Sequence, residues 1–417
     1  MPTEYSGREM RKPSIGIIFL TVFIDLVGFG LILPLMPVFS RNFGATGWMI
    51  GLIVSSYSAM QFLFAPFWGH LSDKIGRRPV LLASTACASL SYLLFAAGCN
   101  LQNQTGLWII FGSRLLAGFC GANIGVAQAY IADITPPEQR SRKMGLVGMA
   151  FGLGFIFGPA LGAGAVKLWG YTGPGMVSAA LCACNFLFAF AQLPESWTPQ
   201  AEHVADRPHW AQWRRAFARR GVSMLIVVYF LATFCFTCFE TTLGLVVSEN
   251  FHLDPAQPHS TSVVAWLFVY CGVMGAAVQG GAVGRLVDRF GEPNVIALSL
   301  LLTAIGLAPV AFLTKWTPLL IFLVPLAIGS SLSRPPIFGL LSRLTPAGEQ
   351  GSTIGVAQSM GSLARIAGPL FAASTYHCLP ALPYLLCVGI SLVAAGLAWA
   401  RLHNPPAAQT VGDQSAS

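Results

Sequence analysis

Long apolar segments recur along nearly the whole chain, and short polar connections separate them. Each is close to or above about 20 residues, the length that an α-helix needs to cross a bilayer. Because lipid offers no hydrogen-bond partner to the backbone, a spanning segment must be a helix that bonds internally. The pattern therefore predicts an all-α membrane protein with 12 transmembrane helices. The twelve segments lie at 14–39, 47–68, 79–99, 106–132, 143–166, 174–193, 221–247, 262–283, 294–314, 317–341, 352–373 and 380–401.

The second six segments repeat features of the first six. The sequence Gly-His-Leu-Ser-Asp-Lys-Ile-Gly at 69–76 recurs as Gly-Arg-Leu-Val-Asp-Arg-Phe-Gly at 284–291, which is 215 positions later. A Thr-Pro pair and a Gly-Pro pair in the first half each recur 210 positions later. The repeats predict two pseudo-symmetric six-helix bundles, a plan that secondary transporters use. We expect the bundles at 14–193 and 221–403, a linker at 194–220, and tails at 1–13 and 404–417, the second of them disordered.

Basic residues lie almost entirely on one side of the predicted membrane. Of the 24 Lys and Arg residues, eighteen fall in the tails, the linker or the loops of one side, and three in loops of the other. Positive loops stay on the cytoplasmic side, so both termini and the linker are predicted to be cytoplasmic, in an inner or plasma membrane. The net charge of +8 is then explained by basic residues that keep these loops in the cytoplasm and face the anionic lipids of the inner leaflet. We expect no nucleic-acid partner.

Composition narrows the class of protein further. Charged residues make up only 10% of the chain, whereas soluble domains carry about 25%. The ten cysteines lie almost all in apolar segments, and we expect small buried side chains rather than a disulfide framework. The sequence contains no phosphate-binding loop, metal-ligand spacing or nucleophile elbow. We therefore expect neither ATP-driven pumping nor enzyme activity, and no metal or other cofactor.

Two acidic residues lie deep inside apolar segments. Asp25 is in the first segment and Glu240 in the seventh, and they are 215 positions apart. An ionised carboxylate within a bilayer is costly, and such a residue usually serves an ion or a substrate. The two acids are therefore predicted to handle protons or cations in a transporter. Arg365, in the eleventh segment, could neutralise either acid.

Other polar or aromatic residues within the apolar segments could line a substrate path. A single polar residue in a membrane helix often only bonds a neighbouring helix, so each candidate has that alternative. Phe236 belongs to an aromatic cluster beside Glu240, which could face lipid or line a pocket for a planar, apolar or cationic compound. The candidates are Gln61, Asn123, Gln128, Phe236, Gln279, Arg334 and Gln358.

The repeated loop motif at 69–79 resembles the signature loop of the major facilitator superfamily. The resemblance implies that Asp73 meets the start of the eleventh helix near Ser352, and that Arg77 and Arg78 meet an acid such as Asp133. Such contacts would form a cytoplasmic gate that is closed in the outward-open state. Topology alone would explain the two arginines but not the repeated motif. The expected gate residues are Gly69, Asp73, Gly76, Arg77, Arg78, Asp133 and, in the repeat, Asp288.

Two further segments carry patterns of the same superfamily. Gly154, Gly158, Pro159 and Gly162 in the fifth segment are similar to the antiporter motif that marks exporters. Packing of small residues is the alternative explanation of the glycines alone. Arg114 in the fourth segment resembles the conserved arginine that the family links to proton coupling.

Residues 25–37 and 129–135 look like parts of the drug:proton antiporters, and the chain is most similar to the tetracycline-efflux-like branch. The resemblance implies export of small amphipathic, drug-like molecules in exchange for protons, by alternating access and with the proton gradient as energy source. We expect a monomer. A proton-coupled uptake symporter for a small metabolite is one alternative. The other is a non-transporting membrane receptor. A receptor would need a sizeable soluble module to signal, and the longest interior loop has only about 27 residues.

Overall fold

The helices of the protein follow the predicted apolar segments. The computed structural model describes residues 14–32, 47–101, 103–121, 123–197, 209–253 and 258–402. Within these ranges the chain consists of α-helices with short 3-10 and π turns, and it contains no β-strand. The predicted tails and residues 198–208 of the predicted linker lie outside the described residues.

The first half contains helices at the first six predicted spans. The fourth span is divided, because its helix ends at Cys120 and a second one begins at Asn123. The freed carbonyl of Gly121 accepts a 2.9 Å hydrogen bond from the amide of Gln61, as a broken helix in lipid requires. The helices are α1 (Ile15–Ile32), α2 (Gly47–Ile75), α3 (Arg77–Leu101), α4 (Gln104–Cys120), α5 (Asn123–Ile134), α6 (Arg140–Trp169) and α7 (Gly173–Gln192).

The second half contains helices at the other six spans and begins with a helix of the linker. A π turn at Val278–Ala282 joins two of these helices into the eighth span. The helices are α8 (His209–Ala218), α9 (Arg220–Asn250), α10 (Pro258–Ala277), α11 (Val283–Phe290), α12 (Glu292–Val310), α13 (Trp316–Arg343), α14 (Gln350–Cys378) and α15 (Leu382–Leu402).

The lengths of these helices agree with a protein that crosses the membrane many times. By length and composition, nine stretches of the described residues can span a membrane, and the longest of them, Pro137–Gln192, contains two predicted spans. The long helices α2 and α14 are outside this set. They carry polar residues such as Gln61 and Gln358, because they face each other inside the protein rather than lipid. With these two, the described residues hold a long helix at every predicted span.

Two contact surfaces join the halves. In the first seam, α14 packs along α2 and contacts α5, and in the second seam, α6 packs against α10, α11 and α13. Glycines allow close approach: a β-carbon on Gly355 of α14 would lie 2.6 Å from the carbonyl oxygen of Ala65. The second and eighth spans are repeat partners, as are the fifth and eleventh. The two seams are therefore related by the internal repeat.

The linker helix α8 packs on the first seam. Its Trp213 ring lies 5.8 Å from that of Phe62 in α2. Arg215 and Arg219 donate to the Glu349 carboxylate at 2.9 and 2.8 Å. Partial burial favours the neutral acid, but these two arginines outweigh it and hold the pKa of Glu349 below its usual value. The helix thus contacts both halves, which a freely solvated linker would not do.

One pair of cysteines departs from the expectation. Cys87 of α3 and Cys120 at the end of α4 form a disulfide. The prediction of small buried thiols is therefore wrong for this pair, because α3 and α4 place them side by side in a way that spacing does not reveal. The other eight cysteines are free, and five of them are buried.

Candidate transport and gating site

Asp25 lies on α1 and faces α7. Its carboxylate accepts a 2.7 Å hydrogen bond from the side-chain amide of Asn185, and the Cys182 thiol lies 3.9 Å away. The same amide also donates to the backbone carbonyl of Thr21 at 2.8 Å, which fixes its orientation. An amide N–H can donate to a carboxylate or to the carbonyl of a carboxylic acid. These neutral partners can therefore hold Asp25 in either protonation state.

The glycines of the predicted antiporter motif bring α6 onto α1. A β-carbon on Gly158 would overlap the backbone of Gly30, and one on Gly154 would lie 2.9 Å from the backbone of Leu26. Leu26 follows Asp25 directly, so the motif sets the packing around the first acid. Pro159 is a helical residue of α6 whose side chain is not described, and Gly162 is buried.

The second half repeats this packing. A β-carbon on Gly368 of α14 would overlap the side-chain oxygen of Thr237, which lies one turn before Glu240 on α9. In each half, the helix with the Gly-Pro pair therefore packs on the helix that carries the acid. The sequence shows the repeat of the motifs but not this contact.

Glu240 faces the interior of the protein. Its side chain keeps accessible surface although it lies deep within the helices, as expected of a residue that lines an internal space. Arg334 of α13 and Arg365 of α14 lie within electrostatic reach. In the described part of the chain, Glu240 makes no hydrogen bond or ion pair. Phe236, one turn earlier, packs against Phe239 with ring centroids 6.2 Å apart.

Arg365 forms hydrogen bonds across the first seam. Its guanidinium donates to the amide oxygen of Gln61 at 3.2 Å and to the hydroxyl of Ser362 at 2.9 Å. Gln61 in turn donates to the Tyr57 hydroxyl at 2.9 Å. Tyr57 lies within electrostatic reach of both Arg365 and Asp25. A chain of polar groups thus runs from the side of Glu240 towards Asp25.

Arg114 is a buried cation in the first half, with 4% of its surface exposed. The guanidinium lies 5.6 Å from the ring centre of Tyr92 and 5.3 Å from that of Phe95, within the range of cation–π attraction. Two of its nitrogens, Nε and one Nη, have no hydrogen-bond partner in the described ranges. Aromatic faces therefore take the place of the carboxylate, carbonyl or water that an arginine in a span requires.

The remaining candidates for a substrate path lie mostly between the halves. Gln358 of α14 donates to the amide oxygen of Gln128 in α5 at 2.9 Å, and Tyr229 donates to Gln358 at 3.4 Å. These amides bind each other across the first seam. Asn123 begins α5, and its side chain lies outside the described residues.

Gln279 and Arg334 bring the second half towards α6. Gln279 donates to the backbone carbonyl of Ser331 at 3.0 Å, and its side chain fills the space that a β-carbon on Gly148 would need. The Arg334 guanidinium lies 5.8 Å from the ring centre of Phe151. Gln279 therefore serves packing at the second seam, whereas Arg334 connects the surroundings of Glu240 with the first half.

Asp73 joins the halves at the end of α2. It accepts hydrogen bonds from the backbone N–H groups of Gly351 at 2.9 Å and Ser352 at 2.7 Å. These groups belong to the first turn of α14, where a helix favours a negative charge. Arg77 donates to the same carboxylate at 2.6 Å. The contact with Ser352 that the resemblance implied is present.

Arg77 is fully buried, and in the described ranges all but one of its guanidinium nitrogens are hydrogen-bonded. Besides Asp73, it binds the Asp133 carboxylate at 3.0 Å and the Ser72 hydroxyl at 2.7 Å. Arg78 does not meet Asp133, because it points away towards the end of α7. There it donates to the backbone carbonyl of Phe190 at 2.8 Å. The expectation is therefore correct for Arg77 and wrong for Arg78.

Gly76 allows the tight turn between α2 and α3. Its φ of +100° is one that residues with a side chain rarely adopt. A β-carbon there would also meet the carboxylate of Glu195. Glu195 accepts the backbone N–H groups of Arg77 at 2.8 Å and Arg78 at 3.1 Å, and so caps the start of α3. This role could not be predicted from the sequence, because Glu195 belongs to no motif.

The second loop motif does not repeat the contact of Asp73. Asp288 is exposed and, in the part of the chain that the structure covers, forms neither a hydrogen bond nor an ion pair. The nearby acid Glu292 is buried instead. The described ranges contain no group of three or more His, Cys, Asp or Glu residues that could hold a metal ion.

Comparisons with known proteins agree with the geometry. The family model described as Major Facilitator Superfamily matches residues 18–369 and 225–416. Tetracycline resistance protein, class C, from Escherichia coli is 32% identical over 370 residues, covering 86% of this chain and 89% of that protein. A crystal structure of the human organic anion transporter MFSD10 (TETRAN) superposes with a TM-score of 0.79 at 28% identity, over 92% of this chain and 98% of that one.

Proposed function

This chain belongs to the Major Facilitator Superfamily, and we propose that it exports small amphipathic, drug-like molecules in exchange for protons by alternating access. It is a multi-pass integral membrane protein and not an enzyme. The observation that carries the proposal is the position of Glu240. This carboxyl lines the interior, lies within electrostatic reach of two arginines and is bound to no described residue.

Protonation of Glu240 can change the contacts of Arg365. When Glu240 is ionised, Arg365 and Arg334 are attracted to it and compete with a bound cargo for its charge. When Glu240 is protonated, that attraction is lost, and Arg365 keeps its hydrogen bond with Gln61 across the first seam. The proton would thus favour one arrangement of the halves. Asp25, which Asn185 can hold in either protonation state, would act as the second proton-binding group.

The predicted gate would close the cytoplasmic side. In this arrangement the basic helix ends at the connections from α2 to α3 and from α11 to α12 lie in the cytoplasm, as do both termini. The protein would act as a monomer in the inner or plasma membrane. The bundles 14–193 and 221–403 would rock about the two seams, connected by the linker 194–220. Opening to the cytoplasm would break the hydrogen bonds of Asp73 with α14 but leave the pair of Arg77 and Asp133 intact, since both residues belong to one half.

An acidic cargo is a second candidate. Arg334 and Arg365 place two cations beside the single carboxylate of Glu240. Protonation of Glu240 would leave two positive charges to bind a carboxylate-bearing molecule. The solved relative is a human organic anion transporter, which is consistent with this alternative.

Transport in liposomes tests the proposal. We expect an outward-directed cargo flux when protons are driven inward by a pH jump, and an uncoupler should abolish it. A flux in the same direction as the protons would instead identify an uptake symporter. If no compound induces proton movement, the result would instead favour a non-transporting receptor. A drug-accumulation screen in an efflux-deficient host, with and without the uncoupler, would supply the cargo for these assays.

A further inference from the structure

Glu292 is a buried acid that the proposed gate does not use. It begins α12, and 5% of its surface is exposed. One carboxylate oxygen accepts a 2.6 Å hydrogen bond from the Ser141 hydroxyl, and the other lies 2.9 Å from Arg343. Ser141 is in the first turn of α6, whereas Glu292 and Arg343 belong to the second half. The carboxylate therefore joins the two halves at the second seam.

The positions of this pair within the repeat reveal its counterpart. Glu292 stands 215 positions after Arg77, and Arg343 stands 210 positions after Asp133. These are the offsets of the loop motifs and of the Thr-Pro pairs. The ion pair of Arg77 and Asp133 at 3.0 Å thus recurs as the pair of Glu292 and Arg343 at 2.9 Å, with the charges exchanged.

Neighbouring contacts support a closed second seam at this place. Arg140 donates to the backbone carbonyl of Ser342 at 3.1 Å, which is another hydrogen bond between the halves. A β-carbon on Gly339 would overlap the Ser141 side chain, so α6 and α13 approach closely here. Asp288, the repeat partner of Asp73, lies outside this cluster and is exposed.

We propose that Glu292, oriented by Arg343, is the positioning residue that latches the second seam closed on the cytoplasmic side. It takes over the role that the repeat motif would assign to Asp288, and the ion pair that orients it has its charges exchanged relative to the pair of Arg77 and Asp133. The proposal rests on the alternating access of the proposed function. It adds that a carboxylate latches each seam of the cytoplasmic gate, Asp73 in the first and Glu292 in the second.

The two latches differ in their contact with water. Arg77 is 0% exposed, whereas the side chain of Arg343 is 44% exposed. Salt screens exposed charges far more than buried ones. We therefore expect the second seam to open more readily than the first, and to loosen as ionic strength rises.

Hydrogen–deuterium exchange of the full-length protein tests the latch without requiring transport. Ser141→Ala removes the bond between the halves and leaves the Glu292–Arg343 pair intact. We expect about tenfold faster exchange in the first turn of α6, the effect of losing one hydrogen bond to a charged group. Asp288→Asn is the matched control and should leave this exchange unchanged. An equal or larger effect of Asp288→Asn would overturn the proposal.

A charge reversal tests the pairing of Glu292 with Arg343. Glu292→Arg alone places two cations together and should open the second seam, whereas Glu292→Arg with Arg343→Glu should restore protection to within a few-fold of the native protein. A double variant that is as open as Glu292→Arg contradicts the pairing. If Glu292→Arg does not insert, Ser141→Ala still decides. The two proposals can fail separately. If hydrogen–deuterium exchange at the second seam behaves as expected but the protein does not transport, the proposed function is refuted and the latch is not.

Discussion

Gly69 of α2 packs so closely on Gly351 of α14 that a β-carbon on Gly69 would overlap the Gly351 carbonyl oxygen. The contact lies beside the hydrogen bonds that Asp73 accepts from Gly351 and Ser352. Glycine at this position therefore determines whether the Asp73 carboxylate can reach the start of α14. The motif glycine and the motif aspartate act on the same contact between the halves.

Gly69→Ala should hold the first seam open. The added methyl group must push α2 away from α14, which we expect to destabilise the closed state by roughly 1–3 kcal/mol and to shift the population at least about fivefold. Spin labels at the exposed positions Ile75 and Leu344 would report a longer distance between the halves. Gly112→Ala is the control, because a β-carbon there has no neighbour within 4 Å. An unchanged distance distribution in Gly69→Ala would refute this role of the glycine.

Gly158→Ala should disturb the packing of α6 on α1 beside Asp25. Its β-carbon would overlap the backbone of Gly30, and overpacking of this kind costs about 1–3 kcal/mol. We expect a lower thermal unfolding temperature in detergent together with reduced transport. Gly164→Ala on the same helix meets nothing within 4 Å and should be neutral or slightly stabilising. Equal effects of the two substitutions would mean that the motif glycine has no special packing role.

Docking of α8 should depend on pH and salt. The arginine pair lowers the pKa of Glu349 in the folded protein, so its contribution is complete at neutral pH. This contribution is lost as the pH falls through that lowered value, below the usual glutamate value of about 4.3. Amide exchange of residues 209–218, corrected for the intrinsic rate, should rise in acid, at high salt and in Glu349→Gln. If Glu349→Gln leaves the protection at neutral pH unchanged, apolar contacts such as that of Trp213 hold the helix.

Sequence predicts the spans of this protein well because bilayer thickness sets the length of each apolar run. Helix ends are less accessible to such reasoning. The helix α2 continues to Ile75, and α11 to Phe290, because hydropathy records contact with lipid, whereas a helix can extend into water. The break at Gly121 was not predicted either, since the surrounding residues remain apolar.

Parts of the candidate site were predictable, and parts depended on helix rotation. The contact of Asp73 with Ser352 follows from a motif that the chain shares with a known family. Asn185 and Glu292 were missed because each is a single polar residue outside any motif. Whether such a residue faces lipid, its own bundle or the other half depends on the rotation of its helix, which one sequence does not give. For the same reason, the sequence does not show that Arg77 binds Asp133 whereas Arg78 does not.

Transport by Glu240→Gln tests proton coupling most directly. Glutamine keeps the size of the side chain but cannot exchange a proton, and the same holds for Asp25→Asn. Cargo flux and internal pH would be recorded together in liposomes after a pH jump, with Glu138→Gln at an exposed position as the control. We expect both interior variants to insert and fold but to lose flux driven by the pH gradient, while the control retains it. Full coupled activity in both Glu240→Gln and Asp25→Asn would contradict the proposed mechanism.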